Sequence, residues 1–267
     1  MPSILRRENA PVSDQAWQEI DTEAARSLRG NLIGRQIVDF SGPHGWELGA
    51  VNLGRLEQTN KGDVPYGIRQ VLPLVEIRIP FTLSQWELDN ISRGAGDAEL
   101  DAVVSAAAKA AKFEDSAIFN GFKPGNIQGL TQLTENKPIT MGKGADSVPA
   151  AVGKARQVLY ANGVEGPFSL VLNSDLHNSL FSSTASGYPP YKVVEDLLGG
   201  GQVLPSPVIK GGIVVSDRGG DFELTVGKDY AVGYSSHDSN GVEFFLTESF
   251  TFYVDDPAAA VVLKAGV

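Results

Sequence analysis

The chain has 267 residues, of which 42% are hydrophobic and 20% charged, and its formal net charge is -10. It contains no cysteine, which excludes disulfides, thiolate metal sites and a catalytic thiol. The acidic balance disfavours a nucleic-acid-binding surface, because such surfaces need clustered Lys and Arg. No stretch approaches the ~18 consecutive apolar residues of a membrane span, and residues 1–12 lack the apolar core of a signal peptide. We therefore expect a cytoplasmic protein.

A helix is predicted close to the amino terminus. Ser13 is a candidate N-cap, and apolar residues then recur at spacings of three and four until Gly30. They are Trp17, Ile20, Ala24 and Leu28. Because this apolar stripe is narrow, we expect the helix to lie on a surface rather than to cross a core.

Residues 53–81 are predicted to form a long β-hairpin. Two strand-like segments flank a turn that carries Gly, Asp and Pro. The second segment contains Pro73 and Pro80, and proline cannot donate a hydrogen bond to a sheet, so we expect an edge strand or a projecting ribbon. A projecting hairpin reaches beyond its own domain, which indicates a partner.

The strongest helix prediction covers about Ala98 to Asn120, with Asp97 as its cap and Gly121 as its stop. From about residue 130, helices and strands alternate in the pattern of an α/β subdomain. From about residue 222 the pattern is mainly that of β-strands. If the long helix packs on these last strands, the middle region is an insertion between two halves of one domain.

The sequence contains no recognisable catalytic motif. It has no G-x-S-x-G elbow, no Walker A loop and no H-E-x-x-H pair. Ser236, His237 and Asp238 are adjacent, but neighbours on a strand point to opposite faces and cannot converge as a triad. We therefore predict no catalytic residue and no metal site, so that the protein is not an enzyme.

Two adjacent carboxylates, Glu114 and Asp115, fall inside the long predicted helix. Such pairs can indicate acid–base chemistry or a di-iron centre, but a ferritin-like centre needs Glu-x-x-His pairs and the sequence has none. We expect the two residues to form an inter-subunit salt bridge or to lie on a solvated face. Arg35 and Asp39 are, at first sight, an ordinary surface pair.

Seven sequence stretches, taken in chain order, match the pattern of one known family. They are NAPVSDQAWQEID, IGRQIVDFSGPHGW, FTLSQWELDN, AKFEDSAIFNG, VEGPFSLVLNSD, SDRGGDFELTVGKDYAVGY and FFLTESFTFYV. Each stretch alone is a weak signal, but the ordered set resembles an encapsulin of the linocin type. Members of this family are bacterial nanocompartment shell proteins built on the tailed-phage major capsid fold.

The resemblance implies an α+β fold of the phage major-capsid type. It places an N-terminal arm and helix at residues 1–52 and an extended loop at 53–81. A peripheral domain with a long spine helix would comprise residues 82–129 and 222–267. An axial domain would be inserted at residues 130–221.

The function implied by the resemblance is self-assembly into a closed icosahedral shell that encloses a cargo enzyme. The cargo would be a dye-decolorising peroxidase or a ferritin-like iron-oxidising protein, held through its C-terminal targeting peptide. The implied partners are other copies of this chain and the cargo peptide, with neither nucleic acid nor membrane.

The resemblance also implies a docking site for the cargo peptide on the inner wall of the shell. The matching positions here are Leu28, Ile33, Gly34, Arg35, Ile37, Asp39, Tyr230 and Val232. Apolar contacts with one cation and one anion suit a peptide groove. Some relatives bind a flavin beside the Trp of the FTLxxWELDN stretch, and Trp86 with Arg78 are the matching positions. Flavin is therefore the one possible cofactor.

Two alternative functions remain open. The first is a prophage major capsid protein that packages DNA. Against it, residues 1–36 carry five arginines and five acidic residues, and a neutral arm releases no counterions on DNA. The second is an enzyme in its own right or a secreted bacteriocin or protease, for which the sequence offers neither a nucleophile constellation nor a signal peptide. A neighbouring peroxidase or ferritin-like gene would favour the compartment, and portal or terminase genes the phage.

Overall fold

A computed structural model of the chain describes residues 3–59, 63–183 and 188–266. The chain divides into two compact units. Unit 1 comprises Met1–Leu32, Ser41–Phe113 and Thr225–Thr251, and unit 2 comprises Ile33–Phe40, Glu114–Leu224 and Phe252–Val267.

Seven α-helices and twelve β-strands lie within the described residues. The helices are α1 (Asp14–Asn31), α2 (Gln85–Ser92), α3 (Asp101–Asn120), α4 (Leu130–Leu133), α5 (Val148–Ala161), α6 (Ser174–Ser182) and α7 (Pro190–Leu198). The strands are β1 (Asp39–Ser41), β2 (Ala50–Thr59), β3 (Tyr66–Pro73), β4 (Val75–Ser84), β5 (Ile139–Thr140), β6 (Phe168–Asn173), β7 (Val203–Ser206), β8 (Gly212–Ser216), β9 (Phe222–Val226), β10 (Ala231–His237), β11 (Gly241–Val254) and β12 (Ala260–Lys264).

Helix α1 confirms the predicted cap and apolar stripe. The Ser13 hydroxyl accepts the N–H of Ala16 at 3.2 Å, so it satisfies one of the first-turn amides. The four predicted apolar residues are all buried, together with Ala16. The helix continues through Gly30 and ends at Asn31, one residue beyond the predicted stop.

The core of unit 1 forms where α1 packs on the sheet built by β4, β11 and β10. Strand β11 pairs antiparallel with both β4 and β10. At the centre, the Trp17 ring meets Phe244 edge-on with centroids 5.3 Å apart, and Phe81 stacks on Phe244 at 5.4 Å. Such pairs contribute about 1 kcal/mol each beyond the area they bury.

The predicted hairpin is present, but its second strand was predicted wrongly as one continuous strand. Strands β2 and β3 form a two-stranded antiparallel sheet. Strand β3 ends at Pro73, which lies opposite Ala50, and the next amide, that of Leu74, still bonds to the Gly49 carbonyl at 3.0 Å. The chain then forms β4, in which Pro80 lies opposite Phe245 of β11. The two-stranded ribbon is therefore β2–β3 alone.

Helix α3 begins at Asp101, three residues later than predicted, and ends at Asn120 as predicted. The amides of Val103 and Val104 both bond to the carbonyl of Leu100, which fixes the start there rather than at Asp97. Phe113 of this helix contacts Phe250 edge-on at 6.2 Å. The residues of α3 up to Phe113 belong to unit 1 and those from Glu114 onward to unit 2.

Unit 2 is built on a mixed five-stranded sheet with the order β5–β12–β8–β6–β7. Its central strands β6 and β8 are almost entirely buried, which agrees with their continuous apolar sequences. Helices α5, α6 and α7 confirm the predicted alternation of helices and strands. Strand β12 pairs with β5 and β8, so it belongs to this sheet as well. No helix among the described residues combines the length and the hydropathy that a membrane span requires.

Candidate functional site

Five of the eight positions implied for peptide docking lie in one segment of unit 2, Ile33–Asp39. A single 3₁₀ turn, Gly34–Gln36, shapes it. The Gln36 amide bonds to the Ile33 carbonyl at 3.1 Å, and the Ile37 amide bonds to the Gly34 carbonyl at 3.0 Å. Strand β1 then begins at Asp39, so the turn leads directly into a sheet strand.

The end of α3 holds this turn through two carboxylates. Asp115 accepts the Ile33 N–H at 3.2 Å through Oδ2 and the Gly34 N–H at 2.8 Å through Oδ1. Glu114 accepts the Arg35 Nε–H at 3.0 Å and the Nη2–H at 2.7 Å. Charge-assisted pairs of this kind combine attraction with a fixed geometry.

The expectation of a solvated face for these acids was wrong. The side chain of Glu114 is fully buried, Asp115 is 1% exposed and the Arg35 side chain is 17% exposed. The last turns of α3 are buried on most sides, so no solvated face exists there and each acid needs a partner. That partner is supplied by the same chain, not by another subunit. Arg35, at first sight half of an ordinary surface pair with Asp39, binds the buried Glu114, while the exposed Asp39 accepts the Gly220 amide.

Burial raises the pKa of Asp115 to about 7. The loss of hydration is the largest cause, and the negative charge of Glu114 acts in the same direction. The amides of Gly34 and Ile33 and the charge of Arg35 act in the opposite direction and stabilise the carboxylate. Asp115 therefore titrates within the physiological range, which is unusual for an aspartate.

The second half of the segment lines a cavity of about 250 Å³ within unit 2. The lining residues are Gln36, Ile37, Val38, Asp39, Gln202, Ser216, Asp217, Gly219, Asp221 and Phe222. The carboxylate of Asp39 accepts the N–H of Gly220 at 2.5 Å, which joins the segment to the loop between β8 and β9. Ile37 and Asp39, two of the implied docking residues, thus share one cavity wall.

Three acidic side chains, Asp39, Asp217 and Asp221, line this cavity. Asp217 accepts the Ser169 hydroxyl through Oδ2, while its Oδ1 is buried without a hydrogen-bond partner. Burial raises the pKa of Asp217 above its usual range. Asp221 is neutralised by Arg218, whose Nη2 also binds Asp256 at 2.7 Å.

The other three implied docking residues lie in unit 1. Leu28 and Val232 are buried in its hydrophobic core, and the partly buried Tyr230 packs against the same core. Arg7 of the N-terminal arm donates from Nε to the Val232 carbonyl at 2.7 Å. These three residues therefore share one apolar cluster, and their side chains expose little surface to an incoming ligand.

The two residues implied for flavin binding lie in unit 1. Trp86, in the first turn of α2, is 76% exposed, so its indole faces are open for stacking. Arg78 lies on β4, where it forms an ion pair with Glu76 at 3.0 Å and stacks 4.9 Å from the Phe245 ring. An exposed indole fits a stacking platform for an isoalloxazine ring, and Arg78 fits as a nearby cation. Flavin binding remains a prediction.

Sequence reasoning assigned no site role to the residues that hold the Ile33–Asp39 segment. A signal was available, because Glu114 and Asp115 lie between Phe113 and the apolar residues 117–119 of an alanine-rich helix, a setting where acidic side chains are rarely buried unless paired. The acidic wall formed by Asp217 and Asp221 gave no such signal, since both follow β8 in an ordinary loop sequence.

Structural comparison defines the fold class. The chain is similar to a virus-like particle from Pyrococcus furiosus, with a TM-score of 0.65, 17% identity and coverage of 93% of this chain and 99% of that one. It is also similar to the capsid of an empty GTA particle, with a TM-score of 0.57, 20% identity and coverage of 89% and 90%. The protein therefore has the α+β fold of phage-type major capsid proteins.

Sequence comparison defines the family within that class. Residues 2–251 match the Linocin_M18 model, described as "Encapsulating protein for peroxidase". The type 1 encapsulin shell protein of Mycolicibacterium paratuberculosis is 39% identical over 98% of this chain and 99% of its own length. That of Rhodospirillum rubrum is 40% identical over 97% of this chain and 96% of its own length. The chain belongs to the Linocin_M18 family of encapsulin shell proteins.

Proposed function

We propose that this protein assembles with copies of itself into a closed shell that encloses a cargo enzyme. The observation that carries the proposal is the apolar surface of the β2–β3 ribbon and its turn. Five large apolar side chains there are each 44–76% exposed. They are Leu56, Val64, Tyr66, Ile68 and Val71. Exposed apolar side chains grouped on a two-stranded ribbon favour burial against another chain, since such a ribbon is only marginally stable alone.

Membership of a shell-protein family identifies the expected partner of the ribbon as a second copy of the chain. Contacts of this kind, repeated around a shell, bury far more than the ~1,600 Å² of a standard interface. The net charge of -10 supports a protein cargo rather than packaged DNA, because a shell of such chains repels phosphate. A cytoplasmic compartment fits this assignment.

The proposed cargo is a dye-decolorising peroxidase or a ferritin-like iron-oxidising protein, bound through its C-terminal targeting peptide. The description of the family model, which names a peroxidase, supports the first of these. The cavity wall formed by Ile37 and Asp39 supports docking of a short peptide, since it offers an apolar contact beside an acceptor. Many equivalent sites on a shell add avidity, so modest affinity for each peptide suffices.

Assembly is tested by electron microscopy and light scattering of the purified chain. We expect hollow, uniform, near-spherical particles. Ile68→Asp should yield a folded chain that no longer forms particles, because Ile68 is exposed in the single chain and its replacement leaves the cores intact. Gln70→Asp adds the same charge on the same strand and should still assemble. A wild-type protein that stays a monomer at micromolar concentration would contradict the proposal.

Cargo loading is tested by co-expression with a dye-decolorising peroxidase that carries a C-terminal targeting peptide. The full enzyme should copurify with the particles, and the enzyme lacking its C-terminal segment should not. Equal retention of both forms would contradict peptide-directed loading. Particles that instead contain nuclease-protected DNA of defined length would identify the alternative, a prophage capsid.

A further inference from the structure

The buried end of α3 carries two adjacent acids, but they are satisfied in different ways. Glu114 is neutralised by the Arg35 guanidinium. Asp115 is held by two peptide N–H groups, and each of its carboxylate oxygens accepts one of them. Both oxygens therefore contribute to the position of the Ile33–Gly34 backbone.

We propose that Asp115 is the positioning residue of the peptide-docking site. Its two hydrogen bonds fix the turn at Gly34–Gln36, and this turn places Ile37 and Asp39 on the wall of the cavity. Asp115 is not among the residues that line the cavity, so it acts through the backbone of the turn. This role rests on the proposed docking of a cargo peptide at the same segment.

The position of the turn depends on the proton of Asp115. An ionised carboxylate accepts hydrogen bonds at both oxygens, whereas a neutral carboxyl group keeps one good acceptor and gains an O–H donor. The amides of Ile33 and Gly34 are both donors, so protonation leaves one of them facing an oxygen that no longer accepts well. A buried amide without an acceptor is costly, and the turn is expected to loosen.

The charged groups that act on Asp115 come from two elements. Glu114 lies on its own helix, and Arg35 lies on the turn that faces it. Burial and the charge of Glu114 raise the pKa of Asp115 to about 7 against the opposing effects of Arg35 and the two amides, so the proton binds as the solution becomes mildly acidic. We therefore expect peptide affinity to fall when the pH is lowered through neutrality.

The stability of the fold should change in the opposite direction, which separates positioning from a purely structural role. The native pKa of about 7 lies above the ordinary value of 3.8, so the folded state binds the proton more tightly than the unfolded state. The contribution of Asp115 to the free energy of unfolding therefore grows as the pH falls from 7 toward 4. If Asp115 only stabilised the fold, lowering the pH would increase the peptide affinity and the free energy of unfolding together.

The test uses assembled wild-type shells and two readouts. The first is amide hydrogen exchange of residues 33–40, corrected for the intrinsic effect of pH. The second is binding of a fluorescent synthetic peptide that copies the C-terminal targeting peptide of the peroxidase used in the loading test. Between about pH 8 and about pH 6 we expect exchange to accelerate, and peptide affinity to fall, by roughly threefold to tenfold, the effect of one hydrogen bond.

Asp115→Asn keeps the shape of the side chain and removes the titration. At both pH values, shells of this variant should show the amide exchange rate and the peptide affinity that wild-type shells show at the lower pH. Asp101→Asn, which alters an exposed carboxylate on the same helix, should behave as wild type. The three histidines are the same in every variant, so any contribution from them cancels in the comparison.

Each outcome decides the proposal. Exchange at residues 33–40 that is insensitive to pH in the wild type, a measurement that needs no variant, would overturn it. A wild-type pH response that persists in Asp115→Asn would do the same. If exchange responds as expected but the peptide binds wild-type shells at neither pH, the docking function itself fails and Asp115 is a structural residue only.

Discussion

Gly34 lies against Ile118 so closely that a Cβ on Gly34 would come within 2.5 Å of the Ile118 Cδ1 atom. The same Cβ would lie 3.1 Å from Oδ1 of Asp115. Ile118 is fully buried in α3 and has little space in which to move. The absence of a side chain at Gly34 is therefore what allows the turn to approach the helix and bond to its carboxylate.

Replacement of Gly34 by Ala should lower the free energy of unfolding by about 1–3 kcal/mol, the usual range for an added group in a packed core. The extra methyl group must displace either Ile118 or the turn. Chemical denaturation of the variant and the wild type measures the difference.

Gly30→Ala is the matched control. Gly30 lies in α1, and an added Cβ would meet no atom within 4 Å beyond its chain neighbours and the adjacent backbone of its own helix, so the same substitution should stabilise by about 0.5–1 kcal/mol. Equal effects at the two positions would show that packing against Ile118 is unimportant.

Arg7→Ala should release the N-terminal arm from unit 1. Arg7 forms a bidentate pair with Asp21 at 2.6 and 2.7 Å, donates to the Val232 carbonyl and stacks 4.4 Å from the Trp17 ring. The pair is partly exposed, so the loss in global stability should be modest, about 1–2 kcal/mol. Hydrogen exchange of residues 3–12 should show the larger, local effect. Arg29→Ala, at the exposed end of α1, should leave arm protection unchanged, and protection that survives in Arg7→Ala would contradict the assignment.

Asp115→Asn should change how stability depends on pH. In the wild type, rising pH from about 4 to 7 ionises Asp115 in the unfolded chain while the buried carboxyl group keeps its proton, so the free energy of unfolding should fall by a few kcal/mol. The asparagine does not titrate, so the difference in thermal midpoint between variant and wild type should shift in favour of the variant as the pH rises. A difference that stays constant from about pH 5 to about pH 8 would contradict the raised pKa.

Trp86→Ala should remove any flavin that copurifies with the shell and leave assembly intact. Its indole is exposed, so the substitution does not open a cavity in the core. The measurement is visible absorbance of particles produced with ample flavin. Tyr188→Ala changes another exposed aromatic residue and should retain the absorbance. Colourless wild-type particles would remove the flavin prediction.

Local features of the fold could be predicted from the sequence because they depend on neighbouring residues. The Ser13 cap, the buried stripe of α1 and the end of α3 at Asn120 are of this kind. The break at Pro73 could not be placed, because the sequences on both sides favour β-strands. The residues after Pro73 form β4, which pairs with β11 instead of β2, and this pairing is not visible in the local sequence.

The candidate site was harder to predict because its contacts join distant parts of the chain. Ile33 and Asp115 are 82 residues apart, and no local pattern indicates that one amide meets the other carboxylate. The resemblance to a family implied a docking role for residues in the Ile33–Asp39 segment, but it implied no role for Asp115. From its charge, Glu114 was expected on the surface. The end of α3 is buried, however, and Glu114 pairs with Arg35 there.

The position of β12 determines when the unit 2 sheet can be completed during synthesis. This strand follows every other strand of the unit 2 sheet in the sequence, yet it lies inside the sheet between β5 and β8. During synthesis the earlier strands emerge from the ribosome first, and the gap between β5 and β8 stays open until β12 has been translated. Pairings of such long sequence separation are slow to form. The β2–β3 ribbon can therefore contact other chains before the unit 2 sheet is complete. Correct folding then requires that β12 pairs with β5 and β8 faster than incomplete chains associate with one another.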